Sequence, residues 1–337
     1  MKKFYKAAVI GCGRIGMLME KDPKRLKPAT HAGAYLHNSR TVLAGLAETD
    51  VEKREEARAI APGVPVFADA EEMLAAVKPD IVSVSAFHEQ HHPMVLLCAR
   101  YKVPAIVCEK PIAETIERGE EMVAACDRSG SLLFVNHIRR FDPLLGAWRK
   151  RVADGAIGEI QQATGYYSIG LYHMGTHLVD FLRFYLGDVE WVAGWNNMRA
   201  HAAVPGDWCV DGILGFKSGA HVAIQSVNVK DFSIFEVRIL GRKGELFVRD
   251  LGRTVELTPA AESKQYAGFF ELDPELRERH FNQEQSFFIG LVENVVDCLD
   301  GKSEPASTGR DGLEVLKALA AIRESADNDG KKVVLRR

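Results

Sequence analysis

The chain has 337 residues, 47% apolar and 26% charged, with 43 Lys plus Arg against 46 Asp plus Glu and a formal net charge of -3. That length exceeds what a single core usually fills, so two domains are expected. The mixed, nearly balanced charge excludes a basic or acidic tail for nucleic acid and favours a small-molecule partner. Before Gly11 there are only three lysines and a short apolar run, too little for a signal peptide or a membrane span, so a cytoplasmic protein without a membrane partner is expected. Six cysteines (Cys12, Cys98, Cys108, Cys126, Cys209, Cys298) lie far apart without paired metal-ligand spacing; they read as buried free thiols, and no metal is expected.

In chain order, apolar and β-branched runs at Ala7–Ile10, Val42–Ala47, Ile81–Val84, Ala105–Cys108 and Leu132–Val135 alternate with helical patterns. The clearest helices are Glu52–Ile60, Ala70–Val77, Pro93–Arg100 and Thr115–Ser129, the last closed by Gly130 as a C-cap. Near-continuous apolar strands separated by helices predict a doubly wound parallel sheet, an α/β Rossmann fold, over residues 1–135. Beyond Pro143 the texture changes to strands at Gln161–Ser168, Val189–Trp195, Cys209–Phe216, Ala220–Val229 and Val237–Leu240, joined in places by glycine-rich turns such as Lys217-Ser218-Gly219. Helical periodicity returns at Phe287–Leu299 and Leu313–Ile322. Residues 136–337 therefore read as an α+β domain with a large, open, mainly antiparallel sheet, whose last segment packs back on the first domain.

The first strand runs into Gly11-Cys12-Gly13-Arg14-Ile15-Gly16, a G-x-G-x-x-G expected to open a helix. Gly11 allows the tight turn, Gly13 lets the backbone approach a pyrophosphate, and Gly16 lets helix and strand pack closely. The second strand ends at Glu48, which can accept from a ribose 2'-hydroxyl and repel a 2'-phosphate, so NAD is expected over NADP, although Lys53 and Arg54 nearby would tolerate a phosphate.

From Cys108-Glu109-Lys110-Pro111 onward the chain resembles the Gfo/Idh/MocA family of sugar, inositol and related oxidoreductases. The likeness continues through Val135-Asn136-His137-Ile138-Arg139-Arg140-Phe141-Asp142-Pro143, Gly155-Ala156-Ile157-Gly158-Glu159-Ile160, Gly175-Thr176-His177-Leu178-Val179-Asp180 and Gly309-Arg310-Asp311-Gly312. It implies that Lys110 lies beside the nicotinamide and that His177, on a helix of the second domain, faces it. A lysine or histidine so placed can take or relay the hydroxyl proton as hydride leaves a secondary alcohol. Burial and a positive nicotinamide would depress the lysine from its usual value of about 10.4, whereas a close Glu109 carboxylate would raise it.

Three departures from the family pattern stand out. Relatives often carry D-x-G-x-H, where this chain reads His173-Met174-Gly175-Thr176-His177; four residues apart, His173 and His177 are expected to share a helical face and a proton relay. Relatives often show Thr-Pro after the fourth strand, where this chain has Ser85-Ala86-Phe87-His88-Glu89-Gln90-His91; the loop is expected under the cofactor, with Phe87 against the dinucleotide and His91 at the following helix start. Finally, Glu20 to Thr30 makes the first connection longer than usual. Its Lys24, Arg25 and Lys27 read either as a flap toward a substrate phosphate or carboxylate or as solvated surface.

The expected cofactor contacts are thus Gly11, Gly13, Arg14, Ile15, Gly16, Glu48, Ser85, Ala86, Phe87, His91, Glu109 and Lys110. The expected substrate contacts are Lys110, Arg139, Tyr172, His173 and His177, of which Lys110, His173 and His177 are the catalytic candidates. The function implied is NAD-dependent hydride transfer to or from a carbohydrate secondary alcohol. A sugar nucleotide or sugar acid is slightly favoured by the basic loop, Arg139, Arg140 and Arg183. The alternative is a catalytically silent NAD-binding sugar sensor. An open sheet face predicts a homodimer or homotetramer.

Overall fold

The computed structural model describes residues 4–282 and 285–335. The chain divides into two compact units, one comprising Met1–Asp142 with Glu284–Leu316 and the other Pro143–Gln283 with Lys317–Arg337.

The first unit is built on six parallel strands: β1 (Tyr5–Ile10), β2 (Thr41–Ala47), β3 (Val66–Phe67), β4 (Ile81–Val84), β5 (Ala105–Cys108) and β6 (Leu132–Val135). Their order is β3-β2-β1-β4-β5-β6. Strands β4 and β5 are buried at every position, as a sheet covered on both faces requires. The covering helices are α1 (His31–His37), α2 (Val51–Ile60), α3 (Ala70–Val77), α4 (His91–Arg100) and α5 (Ile116–Ser129). Thr30, Asp50, Asp69 and Thr115 cap four of them by accepting the amides of Gly33, Lys53, Glu72 and Arg118. Gly130 ends α5 in the left-handed region at φ 75°.

The second unit begins with α6 (Pro143–Ala153), β7 (Ile160–Tyr167) and α7 (Thr176–Leu186). Strands β8 (Val189–Asn196), β9 (Val210–Phe216), β10 (His221–Ser226), β11 (Phe235–Gly241), β12 (Gly244–Arg249), β13 (Thr254–Glu262), β14 (Phe270–Leu272) and β15 (Glu278–Phe281) follow. With β16 (Val333–Val334) they form a ten-stranded sheet ordered β14-β13-β12-β11-β7-β10-β9-β8-β16, β15 pairing on β13. Antiparallel pairing dominates, as the glycine turns predict; β10 against β7 is parallel, because the crossover through α7, β8 and β9 separates them in sequence. The apolar face of α7 buries Leu178, Val179, Phe181 and Leu182, with Gly165 of β7 leaving room for Leu178.

Two helices complete the units. From α8 (Phe287–Leu299), Phe288, Leu291, Val292, Val295 and Val296 join the first unit's core beside Ala7, Val9 and Tyr35. Helix α9 (Gly309–Asp327) starts in the first unit, where Gly312 meets Val135, and ends in the second, where Ile322 meets Gly194. Among the described residues, no helix is long and apolar enough to cross a membrane. All six cysteines are free thiols, five of them buried.

The connection after β1 departs from expectation. Gly11–Gly16 does not open a continuous helix: Gly13 to Met17 make a turn, Leu18–Lys21 is a 3-10 segment, and α1 starts only at His31. The excursion between is tied internally. Glu20 accepts from the Ala29 amide (2.6 Å) and the Thr30 hydroxyl (2.9 Å), and its carboxylate passes over Gly33, where a Cβ would collide with it. The ammonium of Lys27 sits on the carbonyls of Met19 (3.1 Å), Glu20 and Asp22 (3.0 Å). Lys27 therefore closes this loop on itself instead of reaching for a substrate anion, and Arg25 pairs with Asp22 at 3.5 Å.

Candidate active site

The strand order reverses direction between β1 and β4, the place where open α/β sheets bind ligands at the carboxyl ends of their strands. Three loops lie there: Gly11–Gly16 after β1, Ser85–Phe87 after β4, and Glu109–Pro111 after β5.

Gly11 has φ +91°, and a Cβ there would sit 2.5 Å from the Ala86 amide nitrogen and 2.7 Å from its Cα. A Cβ on Gly16 would collide with the Gly11 carbonyl and with the Ser85 hydroxyl, which itself donates to Gly11 O at 2.8 Å. Ser85 and Ala86 are thus the floor under the glycine turn. Gly13 differs: a Cβ there would meet nothing within 4 Å. The amides of Gly13, Arg14 and Ile15 donate to no acceptor among the described residues, while that of Cys12 donates to Glu48 Oε2 at 2.8 Å. The loop therefore presents backbone donors around an open glycine, a shape that fits a pyrophosphate.

Glu48 also accepts the Asp50 amide through Oε1 at 3.0 Å, and Arg54 donates to the carbonyls of Glu48 (2.8 Å) and Thr49 (2.7 Å). Arg54 thus holds the strand end, while Lys53 lies 5.7 Å from the centre of the exposed Phe87 ring. His91 lies deeper. It is buried, with Nδ1 2.8 Å from Pro111 O and Nε2 3.3 Å from Ala86 O, so the one N–H of the neutral ring is taken up by a loop carbonyl instead of being offered to a cofactor. Burial, outweighing those carbonyls, holds its pKa below the usual imidazole value.

Lys110 lies in the loop just after β5, half-buried, and Glu109 beside it is buried. Glu109 Oε1 meets His31 Nε2 at 2.9 Å and accepts from Asn136 Nδ2 at 2.6 Å, while Oε2 lies 3.4 Å from the Lys110 amide. Burial pushes this carboxyl up, but the hydrogen bond from His31, the charge of Lys110 and the Asn136 bond together hold it at about 2. Behind His31, Nδ1 lies 3.0 Å from Ser83 Oγ, which lies 2.7 Å from Tyr35 Oη. Neither His31 nor Tyr35 carries a motif that sequence reading could single out; the one signal available was a histidine directly after the unusual loop.

In the second unit, His173 and His177 do not share one α-helix. Leu171–Gly175 is a π turn and α7 begins at Thr176, so the periodicity that would align residues four apart is broken between them. The turn is anchored by Asp207, whose carboxylate accepts the amides of Tyr172 (3.0 Å) and His173 (3.1 Å). The Tyr172 ring meets Trp208 edge-on at 5.9 Å, and the Arg323 guanidinium lies 4.4 Å from the Trp208 ring. His173 is exposed and His177 half-buried. Of the arginines considered for an acidic substrate, Arg140 pairs with Asp311 at 3.1 Å and Arg183 with Asp188 at 2.9 Å, both side chains buried, and Arg139 is also buried. The aspartates already balance Arg140 and Arg183, which removes much of the charge argument for a sugar acid.

Comparison with known proteins decides the family. Residues 5–137 match the Gfo/Idh/MocA profile described as an oxidoreductase family with an NAD-binding Rossmann fold, and residues 161–335 match that family's C-terminal alpha/beta domain. The chain belongs to the Gfo/Idh/MocA oxidoreductases. This Gfo/Idh/MocA protein is 26% identical to a D-apiose dehydrogenase of Paraburkholderia graminis, over 99% of this chain and 90% of that protein. It is 22% identical to the myo-inositol 2-dehydrogenase of Thermotoga maritima, over 96% of each. In fold it resembles the WlbA dehydrogenase of Bordetella pertussis, solved with NADH and UDP-GlcNAcA, with a TM-score of 0.77 and 24% identity over 99% of both chains.

Proposed function

We propose that this oxidoreductase transfers hydride between NAD and a secondary alcohol or ketone of a sugar or cyclitol, with Lys110 as the proton-transfer residue. The observation that carries the reading is the position of Lys110 at the carboxyl end of β5, next to an anchored carboxylate and in the same row of strand ends as the glycine loop. The names of the relatives support the substrate class.

In this reading residues 1–135 hold the cofactor and residues 136–337 supply substrate contacts and the oligomer interface. The amides of Gly13, Arg14 and Ile15 would take the pyrophosphate, Glu48 the adenosine ribose, and Phe87 with Lys53 would flank the dinucleotide. Glu48 supports NAD over NADP, since a carboxylate there repels a 2'-phosphate. The nicotinamide supplies the hydride acceptor or donor when bound. Lys110 Nζ, uncharged, takes the hydroxyl proton in the oxidative direction and, charged, returns it in the reductive one. His177, His173, Tyr172 and Arg139 are the proposed polar contacts of the substrate. The expected setting is cytoplasmic, where a dinucleotide pool is present and thiols stay reduced.

The test is nicotinamide reduction with a panel of sugars, sugar acids, inositols and nucleotide sugars, for the wild type and Lys110→Met. Turnover with one class, lost in the variant while NAD still binds, supports the reading. Turnover retained by the variant removes Lys110 from the role, and NAD binding without turnover in either direction favours a sensor.

A further inference from the structure

The connection from Tyr35 to Glu109 is a complete hydrogen-bond chain running through two elements that the sequence places far apart. One tautomer satisfies every atom in it: Tyr35 Oη–H donates to Ser83 Oγ, Ser83 Oγ–H to His31 Nδ1, and His31 Nε2–H to Glu109 Oε1. Each donor points toward the carboxylate, and Asn136 Nδ2 adds one more at 2.6 Å. Tyr35, Ser83 and His31 are all essentially inaccessible, and Phe288 of α8 meets the His31 ring edge-on at 5.1 Å, so water does not substitute for these donors. A carboxylate taken from water into such a place stays ionised only if it is matched by donors or charge.

We propose that Tyr35, Ser83 and His31 form a buried relay of hydrogen bonds that fixes Glu109 as the counter-charge of Lys110, making His31 a positioning residue for the proton-transfer group. Glu109 Oε2 lies 3.4 Å from the Lys110 amide, and the Lys110 charge is one of the influences that hold the carboxyl low. An anion beside an ammonium favours its charged form, so the chain sets the pH at which Lys110 becomes a base. Two further ionisable groups feel the charge of Glu109, His91 on α4 and Cys108 on β5, both buried. Neither is hydrogen-bonded to its carboxylate among the described contacts, whereas His31 is, so loss of His31 takes a donor from the anion.

The proposal rests on Lys110 being the proton-transfer group, and the experiment separates the two. The titration of Lys110 is read without cofactor or substrate, by competitive acetylation of its amine across pH and mass spectrometry of the peptide. Glu109→Gln should lower that titration by about one to two pH units, the size of effect expected when one adjacent charge is removed. His31→Leu leaves Glu109 ionised but no longer fixed at Oε1, so the carboxylate can turn away from Lys110, and the Lys110 titration should fall in the same direction by up to about one unit. The double variant should fall no further than Glu109→Gln alone, because His31 acts on Lys110 only through the carboxylate that Glu109→Gln has already removed. His31→Gln, whose amide can still donate to Oε1, should restore the wild-type titration. The relay is refuted if His31→Leu folds and leaves the titration where it is in the wild type, or if its shift adds to that of Glu109→Gln. Should His31→Leu not fold, Ser83→Ala and Tyr35→Phe decide: a downward shift in either supports the relay, and no shift in both overturns it. Turnover retained by Lys110→Met would refute the catalytic assignment while leaving these titrations to judge the chain.

Discussion

Replacing Gly13 by alanine separates a cofactor contact from a structural one. In the protein alone the new methyl would meet nothing within 4 Å, and Gly13 is not among the glycines with positive φ. Folding stability should therefore change by less than about 1 kcal/mol, with a small gain as likely as a loss because alanine restricts the unfolded chain. A bound pyrophosphate would have to lie where that methyl projects. Displacing it by about an ångström and losing one or two amide contacts should weaken NAD binding by roughly 1.5–3 kcal/mol, about 10- to 150-fold. Gly11→Ala provides the contrast. Its methyl would press on the Ala86 backbone at 2.5 Å from a residue at φ +91°. Left-handed strain of about 1–2 kcal/mol and an overlap of about 1–3 kcal/mol should lower the melting temperature by several degrees before any ligand is added. Thermal melts of both variants and calorimetric titration with NADH measure these quantities. Wild-type NADH affinity in a stable Gly13→Ala protein would refute the placement of the pyrophosphate on this loop.

Other outcomes follow from the same geometry. Glu48→Ala should lower the preference for NAD over NADP, read as the ratio of kcat/KM values, and should loosen the glycine loop because the Cys12 amide loses its acceptor; an unchanged ratio counts against the ribose role. Glu109 has a folded-state pKa depressed to about 2 from 4.5, so its contribution to stability is present above about pH 4.5 and is lost as pH falls toward 2. Acid unfolding of Glu109→Gln should accordingly be flatter across that window than that of the wild type, and parallel curves would show that the carboxylate is not held ionised. Native alkylation should label Cys298 first, since the other five thiols are buried; prompt labelling of Cys12 would contradict the packing of the glycine loop. Light scattering should give a dimer or tetramer, and a monomer at working concentration would remove the oligomer expected of the open sheet.

The parallel sheet was legible because strands covered on both faces must be nearly continuous in apolar residues, which is how Ile81–Val84, Ser83 apart, and Ala105–Cys108 read. Glycine turns made the antiparallel pairs of the second unit readable, but they do not say which strand a returning chain will meet, so the parallel match of His221–Ser226 to Ile160–Tyr167 was not. Strands β14 and β15 escaped notice for a different reason: every residue in them is exposed, so no burial alternation marks them. At the site, the glycine loop and Lys110 stand out through short-range spacing. The Tyr35–Ser83–His31–Glu109 chain joins residues up to 78 positions apart, each ordinary in its own neighbourhood. The π turn at Leu171–Gly175 was hidden because its residues suit an α-helix equally well; Asp207, distant in sequence, reshapes it by taking two of its amides.

The long connection after Gly16 leaves the helix and comes back in phase. The His31 amide donates to the carbonyl of Ile15 and that of Ala32 to Gly16, so the two ends meet as consecutive turns of one helix would. Joining Leu18 directly to His31 would place His31 four residues after Ile15 and Ala32 four after Gly16, the spacing of an uninterrupted α-helix. Residues 19–30 are in that sense a parenthesis, one that length variation can open or close without rotating His31 away from Glu109. A chain shortened in this way is expected to keep its cofactor domain intact, and whatever it lost in activity would report what the parenthesis itself contributes.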